Sequence, residues 1–373
     1  MFSADDHRHM ARALQLARRG LYTTEPNPRV GCVLVRDGVV VGEGFHVRAG
    51  EGHAEVNALA VAGDRARGAT AYVTLEPCSH QGRTGPCAEA LVKAGVARVV
   101  SAMEDPNPRV AGRGHRILEA AGIDTACGLL TSEARALNPG FIARMTRGRP
   151  FVRIKQAMSL DGRTAMASGE SQWITGPCAR SAVQRLRARS SAVLTGVGTV
   201  IHDDPALTLR AEQLGLPAAE AEAALRRQPL RVILDTGLRT PPESAILKQP
   251  GETLIVHRCD EPARAERLTA AGASLLAMDP HDPASLLQWL AAERECNELL
   301  VEAGAVLAGS LMRAGLVDEL VVFVAPKLLG SEARPLLQLP GMARMDQQIP
   351  LTLSDLRRLG EDLCLTYRVE GAS

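Results

Sequence analysis

The sequence is poor in aromatic residues, in net charge and in long apolar runs. Only 3% of its 373 residues are aromatic, namely 2 Trp, 3 Tyr and 5 Phe, which argues against base-stacking platforms for single-stranded nucleic acid. The 43 Lys and Arg residues nearly balance the 42 Asp and Glu residues, for a formal net charge of +1. That balance permits a local charged patch but provides no strong field for attracting nucleic acid or anionic lipid. No apolar run approaches the roughly 18 residues that span a bilayer, so we expect neither a nucleic-acid nor a membrane partner.

The amino terminus also lacks the features of a signal peptide. The residues Met1–Asp6 end in two acidic side chains and contain no apolar core, so a cytoplasmic protein is expected. In that compartment the eight cysteines are not expected to form a disulfide framework, which leaves metal binding, catalysis and core packing as alternatives.

Strand and helix patterns alternate along the chain and are interrupted once. At roughly 150 residues per domain, a chain of this length suggests two domains. The polar segment Thr146–Pro150 breaks the pattern, so we predict one domain over residues 1–147 and a second over residues 148–373. The alternation favours α/β domains with sheets covered on both faces. Within them, Asp37-Gly38 predicts a hairpin turn, and residues 211–228 predict one surface helix.

The strongest chemical signal is a set of three metal-ligating residues. His53 opens a predicted helix, Cys78 follows a predicted strand, and Cys87 opens the next helix. One imidazole and two thiolates leave a fourth tetrahedral position for water, as a catalytic zinc requires. Glu55, two residues beyond His53, is better placed to transfer protons than to bind metal. A His-x-Glu sequence with Pro-Cys and a second Cys is typical of zinc deaminases, which predicts one Zn²⁺ with Glu55 as the catalytic residue.

Eight residues separate Cys78 from Cys87, and this departure from C-x-x-C counts against short-loop tRNA adenosine and cytidine deaminases. The segments Thr24–Gly31, His53–Glu55, Glu76–Thr84 and Asp105–Pro108 closely resemble the deaminase half of the RibD family, the bifunctional riboflavin-biosynthesis deaminase/reductases. The resemblance implies a cytidine-deaminase-like αβα sandwich. It also implies a small phosphorylated substrate, the phosphoribosylated diaminopyrimidinone formed when the imidazole ring of GTP is opened.

By the same resemblance, five residues line the pyrimidine pocket or lie near it: Asn27, His46, Ser79, His80 and Asn107. An amide side chain offers both a donor and an acceptor to a ring amide edge. An Asn before Pro is also a common turn residue, so that alternative remains open for Asn27.

The second half carries two glycine-bearing turns after predicted strands. Gly196 and Gly198 follow one strand, but Ile201 stands where a dinucleotide fingerprint needs a third glycine, which disfavours a Rossmann domain. The turn Gly304–Ser310 follows another strand and opens a helix, so its free N–H groups suit a pyrophosphate. Either turn alone is also compatible with an ordinary strand-to-helix connection.

Four further segments resemble the reductase half of the same family, so that the resemblance covers essentially the whole chain: Lys155–Arg163, Ser168–Thr175, Asp203–Arg210 and Val324–Gly330. It implies a dihydrofolate-reductase-like α/β domain that uses NADPH to reduce the ribosyl C1′ imine to a ribityl chain. The residues assigned to NADPH are Ala157, Trp173, Thr199, Asp203, Gly304, Ala305, Val306, Leu307, Ala308, Gly309 and Ser310. Those assigned to the phosphorylated substrate are Ser171, Arg187, Leu207, Arg210 and Glu302.

Two of the cationic candidates have simpler alternatives. Arg187 stands among Arg180, Arg185 and Arg189, a pattern also typical of a solvated helix face. Lys155 is a candidate for polarising the substrate, or else an edge charge on its strand.

Two other functions remain as alternatives, namely a zinc deaminase with a non-catalytic second domain and a zinc-stabilised nucleic-acid-binding protein. The family implies a homo-oligomer. The six cysteines without a partner at metal spacing are interpreted as core thiols: Cys32, Cys127, Cys178, Cys259, Cys296 and Cys364.

Overall fold

The computed structural model describes residues 2–79, 85–108 and 110–371. The chain forms two compact units, Met1–Arg149 and Pro150–Ser373. The division falls where a helix ends at Arg147 and Gly148 takes a left-handed conformation with φ of 66°. Both units mix helices and strands, and the prediction of α/β domains is confirmed.

The first unit contains a five-stranded sheet with the order β2-β1-β3-β4-β5. β1 runs antiparallel to β2 and β3, whereas β3, β4 and β5 are parallel. Its strands are β1 (Gly31–Arg36), β2 (Val39–Phe45), β3 (Thr70–Val73), β4 (Arg98–Ser101) and β5 (Asp124–Cys127). Its α-helices are α1 (Ala4–Arg18), α2 (Ala54–Ala62), α3 (Cys87–Ala94), α4 (Arg113–Ala120), α5 (Thr131–Leu137) and α6 (Pro139–Arg147).

Two glycines show how closely helices cover both faces of this sheet. A Cβ on Gly31 would lie 2.0 Å from the carbonyl oxygen of Ala13 in α1. A Cβ on Gly44 would lie 2.4 Å from the carbonyl oxygen of Ala54 in α2. Gly44 pairs with Cys32, the neighbour of Gly31 on β1, and successive strand residues point to opposite faces. α1 and α2 therefore lie on opposite faces of the sheet, which makes the three-layer sandwich.

The second unit contains a nine-stranded sheet with the order β11-β10-β9-β8-β12-β6-β13-β16-β15. The strands from β11 to β13 are parallel, and β16 and β15 complete the sheet as an antiparallel pair. The strands of this sheet are β6 (Phe151–Ser159), β8 (Ala192–Gly196), β9 (Leu230–Leu234), β10 (Thr253–His257), β11 (Ala273–Ala277), β12 (Glu298–Val301), β13 (Glu319–Ala325), β15 (Leu351–Leu359) and β16 (Asp362–Val369). Two further strands, β7 (Arg163–Ala165) and β14 (Arg334–Pro335), form a separate two-stranded antiparallel sheet. The α-helices of the unit are α7 (Pro177–Arg189), α8 (Val197–Asp203), α9 (Ala211–Leu214), α10 (Ala218–Leu225), α11 (Ala245–Lys248), α12 (Pro262–Ala270), α13 (Pro283–Glu293) and α14 (Ala305–Arg313).

The parallel strands of this sheet place their carboxyl ends along one edge. Both faces of the sheet are buried, because neighbouring residues such as Val193 and Leu194 of β8 belong to different apolar clusters. At the carboxyl ends of the strands, the connecting loops therefore leave the sheet between the helices that cover its two faces. In open α/β sheets that edge is where ligands bind.

The structure confirms some local predictions and corrects others. Asp37 and Gly38 both have positive φ, 52° and 76°, as a two-residue hairpin requires. The single helix expected over residues 211–228 is wrong, since Gly215 and Pro217 separate α9 from α10. The sequence pattern also missed β15, in which a bulge between Leu353 and Asp355 breaks the alternation of apolar residues.

The cysteine interpretation is partly wrong. Cys32, Cys296 and Cys364 are buried, but Cys127 and Cys178 are exposed and are not core thiols. Among the residues that the structure describes, no helix combines the length and apolarity needed to cross a membrane.

Candidate active sites

The three predicted zinc ligands converge at the amino ends of two helices. His53 is the N-cap residue of α2, Cys87 is the first residue of α3, and Cys78 lies in the loop after β3. The His53 Nδ1 atom lies 3.2 Å from the Cys87 Sγ and 3.5 Å from the Cys78 Sγ, and all three ligand atoms lie within 4.8 Å of one another. Ligand atoms around a tetrahedral zinc are about 3.5–3.8 Å apart. The donor set and its spacing therefore fit one zinc ion.

The local electrostatics favour a thiolate at Cys78. The side-chain hydrogen bond with Cys87 is the main cause that lowers the pKa of Cys78 to about 4, and His53 contributes in the same direction. The Cys87 backbone N–H also donates to the Cys78 Sγ at 3.3 Å. A deprotonated thiol is the form that binds metal.

Glu55 lies beside this triad, in the first turn of α2. The residue is only 3% exposed, and burial, together with the nearby Cys78, raises its pKa to about 7. A carboxyl group with such a pKa can both accept and donate a proton near neutral pH.

Asn27 and His46 form a hydrogen-bonded pair next to the triad. The His46 Nδ1 atom lies 3.1 Å from the carbonyl oxygen of Gly52, and its Nε2 atom lies 3.0 Å from the Asn27 Nδ2. Because a carbonyl only accepts, Nδ1 is the donor, and Nε2 then accepts from the Asn27 amide nitrogen. The Asn27 Oδ1 is thereby presented as an acceptor. The His46 ring meets the His53 ring edge-on, with centroids 5.3 Å apart, so the pair adjoins the predicted metal site.

The other predicted pocket residues lie on two loops. Ser79 follows Cys78 directly and is half-buried, whereas His80 lies outside the described residues. Asn107 is half-buried on the loop after β4, where its backbone N–H donates to Asp105 at 2.8 Å. Sequence reasoning missed Glu76, whose buried carboxylate accepts hydrogen bonds from this loop. The available signal was an acidic residue directly before the Pro77-Cys78 pair.

The second unit contains a cavity of about 1090 Å³ at the carboxyl ends of β8, β9 and β12. Most of the cofactor and substrate candidates that the sequence predicts for the reductase line this cavity. The NADPH candidates among its lining residues are Ala157, Trp173, Thr199, Asp203, Gly304, Ala305, Val306, Leu307 and Ser310. All six substrate candidates of this half also line it: Lys155, Ser171, Arg187, Leu207, Arg210 and Glu302.

Two residues of the predicted cofactor turn lie away from the cavity. Ala308 is 0% exposed, and a Cβ on Gly309 would lie 2.0 Å from the carbonyl oxygen of Gln338. Both belong to the buried face of α14, because a helix of 3.6 residues per turn cannot direct seven consecutive residues to one side.

The start of α14 fits a dinucleotide phosphate. Gly304 is its N-cap residue, and no side chain caps the helix. A Cβ on Gly304 or on Gly198 would meet nothing within 4 Å, so the backbone at both turns is open to a close approach. Uncapped N–H groups at a helix start attract phosphate, which agrees with NADPH as the cofactor.

A buried carboxylate between two cations forms the polar end of the cavity. The Glu302 carboxylate accepts from Arg187 at 2.5 and 3.0 Å and lies 3.6 Å from the Lys155 Nζ. Burial alone would raise the pKa of Glu302, but Arg187 and Lys155 outweigh it and hold the pKa at about 2. Burial lowers the pKa of Lys155. Arg187 is thus already paired, whereas Arg210 is exposed within the cavity lining.

Sequence reasoning missed the residues that hold Trp173. The guanidinium of Arg180 lies 4.8 Å from the centre of the Trp173 ring, and the Lys327 Nζ donates to the Trp173 carbonyl at 3.1 Å. Gln184 accepts from the Arg210 backbone N–H at 3.1 Å. The spacing of 180, 184 and 187 on α7 places these side chains on one helix face, a signal that the sequence carried.

The two sites define a zinc-dependent deaminase joined to an NADPH-dependent reductase with a dihydrofolate-reductase-like fold. The family model described as the cytidine and deoxycytidylate deaminase zinc-binding region matches residues 3–103, and the one described as the RibD C-terminal domain matches residues 150–365. The chain belongs to the RibD family, the bifunctional deaminase/reductases of riboflavin biosynthesis.

Relatives of this family match along the whole chain. The riboflavin biosynthesis protein RibD of Escherichia coli (strain K12) is 53% identical over 365 residues, which is 96% of this chain and 98% of that protein. The corresponding protein of Haemophilus influenzae is 49% identical over 371 residues, 99% of each chain. The solved structure of Acinetobacter baumannii RibD superposes with a TM-score of 0.90 at 46% identity, covering 98% of this chain and 99% of that one. A non-catalytic second domain and a nucleic-acid-binding protein, the two alternative functions, do not fit this family.

A more distant structure supports the same fold. It is a diaminohydroxyphosphoribosylaminopyrimidine deaminase/5-amino-6-(5-phosphoribosylamino)uracil reductase from Thermotoga maritima. It superposes with a TM-score of 0.85 at 31% identity and covers 98% of this chain and 99% of its own.

Proposed function

We propose that this chain deaminates 2,5-diamino-6-(5-phosphoribosylamino)pyrimidin-4-one to 5-amino-6-(5-phosphoribosylamino)uracil and then reduces the ribosyl group to the ribityl chain. Residues 1–147 would carry the first reaction and residues 148–373 the second. The observation that carries the proposal is the presence in one chain of a His53–Cys78–Cys87 triad beside buried Glu55 and a separate cavity with a paired Lys155–Glu302–Arg187 cluster.

In the deamination, water replaces the ring amino group. The carbon–oxygen bond forms, the carbon–nitrogen bond breaks, and ammonia leaves. Zinc held by His53, Cys78 and Cys87 supplies the Lewis acidity that activates water near neutral pH. Glu55, buried beside the triad, accepts the proton of the attacking water and returns one to the departing amine. The Asn27 Oδ1, oriented by His46, accepts a hydrogen bond from the pyrimidine edge, and Ser79, His80 and Asn107 complete the pocket.

In the reduction, the C1′ imine of the opened sugar gains a hydride at carbon and a proton at nitrogen. NADPH supplies the hydride when bound. The turns at Thr199 and Gly304, with Ala157, Trp173 and Asp203, line the cavity and would hold the cofactor there. Lys155 polarises the substrate, and Glu302 fixes Lys155 and Arg187. Arg210, together with Ser171 and Leu207, receives the phosphorylated end, since an exposed guanidinium binds phosphate bidentately.

One coupled assay tests both reactions. The purified chain is given the ring-opened diaminopyrimidine product of GTP with NADPH, and ammonia release and the loss of NADPH absorbance are followed together. We expect one ammonia to be released and one NADPH to be consumed per substrate, with the release of ammonia coming first. Ammonia without NADPH oxidation would refute the reductase half, and no ammonia would refute the substrate assignment.

We further propose a cytoplasmic homo-oligomer. β15 is the last strand of the second sheet and exposes Leu351, Leu353 and Leu356 by 40%, 49% and 56%. An apolar edge strand favours association with another chain. We expect light scattering to give a mass above 39.7 kDa for the wild type and a lower mass for a Leu353→Asp/Leu356→Asp variant.

A further inference from the structure

Glu76 is a buried acid of the deaminase unit, and its carboxylate is hydrogen-bonded to backbone N–H groups rather than to the predicted metal ligands or Glu55. The residue is 3% exposed, and its carboxylate accepts three backbone hydrogen bonds. Its Oε2 accepts from Asp105 at 3.1 Å and from Gly112 at 2.9 Å. Its Oε1 accepts from Gly114 at 2.8 Å. Three donors on one carboxylate make charge-assisted bonds that are stronger than neutral ones.

These three bonds connect two segments of the deaminase unit. Gly112 is the N-cap residue of α4 and, as a glycine, has no side chain with which to cap the helix. The Glu76 carboxylate, from another part of the chain, caps it instead. The bond from Asp105 holds the loop that carries Asn107. A fourth hydrogen bond joins Glu76 to the start of the same loop, because its own N–H donates to the carbonyl of Met103, two residues beyond β4, at 3.0 Å.

The contact also reaches the metal-binding loop. A Cβ on Gly114 would lie 2.0 Å from the carbonyl oxygen of Pro77, so the start of α4 packs directly on the residue that precedes Cys78. Pro77 lies between Glu76 and the Cys78 ligand in sequence. Glu76 therefore stands at the junction of the Asn107 loop, the start of α4 and the metal-binding loop.

We propose that Glu76 is a positioning residue of the deaminase, which fixes the Asn107 loop relative to the Cys78 loop so that substrate is held in register with the metal site. The inference rests on the proposed function, in which Asn107 lines the substrate pocket. Misplacing a positioning group by about 1 Å can cost on the order of 100-fold in rate.

The test is Glu76→Gln in the full-length, zinc-loaded chain. The glutamine amide has one acceptor oxygen, so at least one of the three backbone N–H groups faces an NH₂ donor and the loop must shift. We expect kcat/KM for ammonia release to fall about 10- to 100-fold, mainly through KM, with one zinc per chain and unchanged NADPH oxidation on the deaminated intermediate. Glu119→Gln is the matched control on α4, because Glu119 is exposed and its carboxylate accepts a hydrogen bond from the Thr125 hydroxyl. We expect its kcat/KM for ammonia release to equal that of the wild type.

A double-mutant cycle with Asn107→Ala separates positioning from general stability. If Glu76 acts through the Asn107 loop, Glu76→Gln in the Asn107→Ala background costs less than about threefold. The positioning role would be overturned if the losses in the two single variants multiplied fully in the double variant. It would also be overturned if Glu76→Gln lost zinc, or if it lost reductase activity as much as deaminase activity. If the wild-type chain releases no ammonia from the diaminopyrimidine, the proposed function fails instead, and the two failures are thereby distinguished.

Discussion

Arg187 and Glu302 form a two-point ion pair inside the reductase cavity, with guanidinium-to-carboxylate distances of 2.5 and 3.0 Å. Glu302 follows β12 directly, whereas Arg187 is near the end of α7. Since Lys155 on β6 lies 3.6 Å from the same carboxylate, one acid sets the position of two cations from different elements. The cationic end of the cavity thus depends on a residue that is itself negative.

Glu302→Gln is expected to impair the reductase and to destabilise its unit. Removing one partner leaves buried cations without a counter-charge, which costs about 3 kcal/mol. We expect NADPH oxidation to fall at least about tenfold while ammonia release stays unchanged, as measured by the coupled assay and by thermal melting. Glu252→Gln, which removes an exposed partner of Arg294, is the control. An unchanged reductase rate in Glu302→Gln would contradict the assigned role.

Glu55→Gln is expected to abolish ammonia release and to leave zinc binding intact. The amide cannot take a proton from water, and loss of general acid–base catalysis costs about 10²- to 10⁴-fold. Metal analysis is expected to give one zinc per chain, and reduction of the deaminated intermediate should persist. If the variant still deaminated the substrate, the role of Glu55 in proton transfer would be refuted.

Removal of the metal is expected to separate the two activities. Among the residues that the structure describes, three side chains can hold a zinc ion, namely His53, Cys78 and Cys87. A chelator is expected to remove zinc from such a site, and with it the Lewis acid that would activate water. We expect no ammonia release from the stripped chain and full recovery with one equivalent of Zn²⁺. NADPH oxidation on the deaminated intermediate should not change, because the predicted cofactor and substrate residues of the reductase lie within residues 155–310. A parallel loss of both activities would contradict this independence.

Arg210→Ala is expected to weaken binding of the phosphorylated substrate in the reductase. A charge-assisted hydrogen bond contributes about 1.5–3 kcal/mol, which corresponds to a rise of about 10- to 100-fold in KM. The KM for NADPH should change less than about twofold. Arg226→Ala, which removes an exposed arginine paired with Glu222, serves as the control. Equal effects on substrate and NADPH would remove the phosphate role from Arg210.

Asp6 is expected to make the deaminase unit sensitive to acid. Burial alone would raise its pKa, but hydrogen bonds from Ser3 and Tyr72 and the charge of Arg98 lower it to about 2. A depressed folded-state pKa means that the stabilisation is fully present above the ordinary value of 3.8 and is lost as the pH falls from there to about 2.

Asp6→Asn should therefore lower the free energy of unfolding by about 1–2 kcal/mol at pH 7 and flatten its decline between pH 4 and pH 2. Urea titrations at several pH values measure both effects. Asp5→Asn, at an exposed site paired with Arg8, is the control and should retain the wild-type slope. If Asp6→Asn also keeps that slope, Asp6 is not the titrating group.

Much of the chemistry was predictable from local sequence. His53, Glu55, Cys78 and Cys87 were recognisable because each metal ligand begins a helix or follows a strand, and residue type alone limits which side chains bind zinc. The hairpin at Asp37-Gly38 was predictable because only a few residues adopt positive φ there. The prediction of one helix over residues 211–228 was wrong because the Ala/Glu/Arg/Leu-rich composition of the segment was given more weight than the helix breakers Gly215 and Pro217.

The sequence by itself determined which residue types are available, the α/β alternation and the order of the two catalytic halves. Only the tertiary structure decided that Arg187 binds Glu302, that Ala308 and Gly309 face the interior, and that Glu76 joins the Asn107 loop to α4. Helix and strand periodicity act over a few residues, whereas these contacts join groups separated by 29 to 115 positions in the chain. Which distant groups meet depends on how the sheets and their covering helices pack, and no local pattern contains that information.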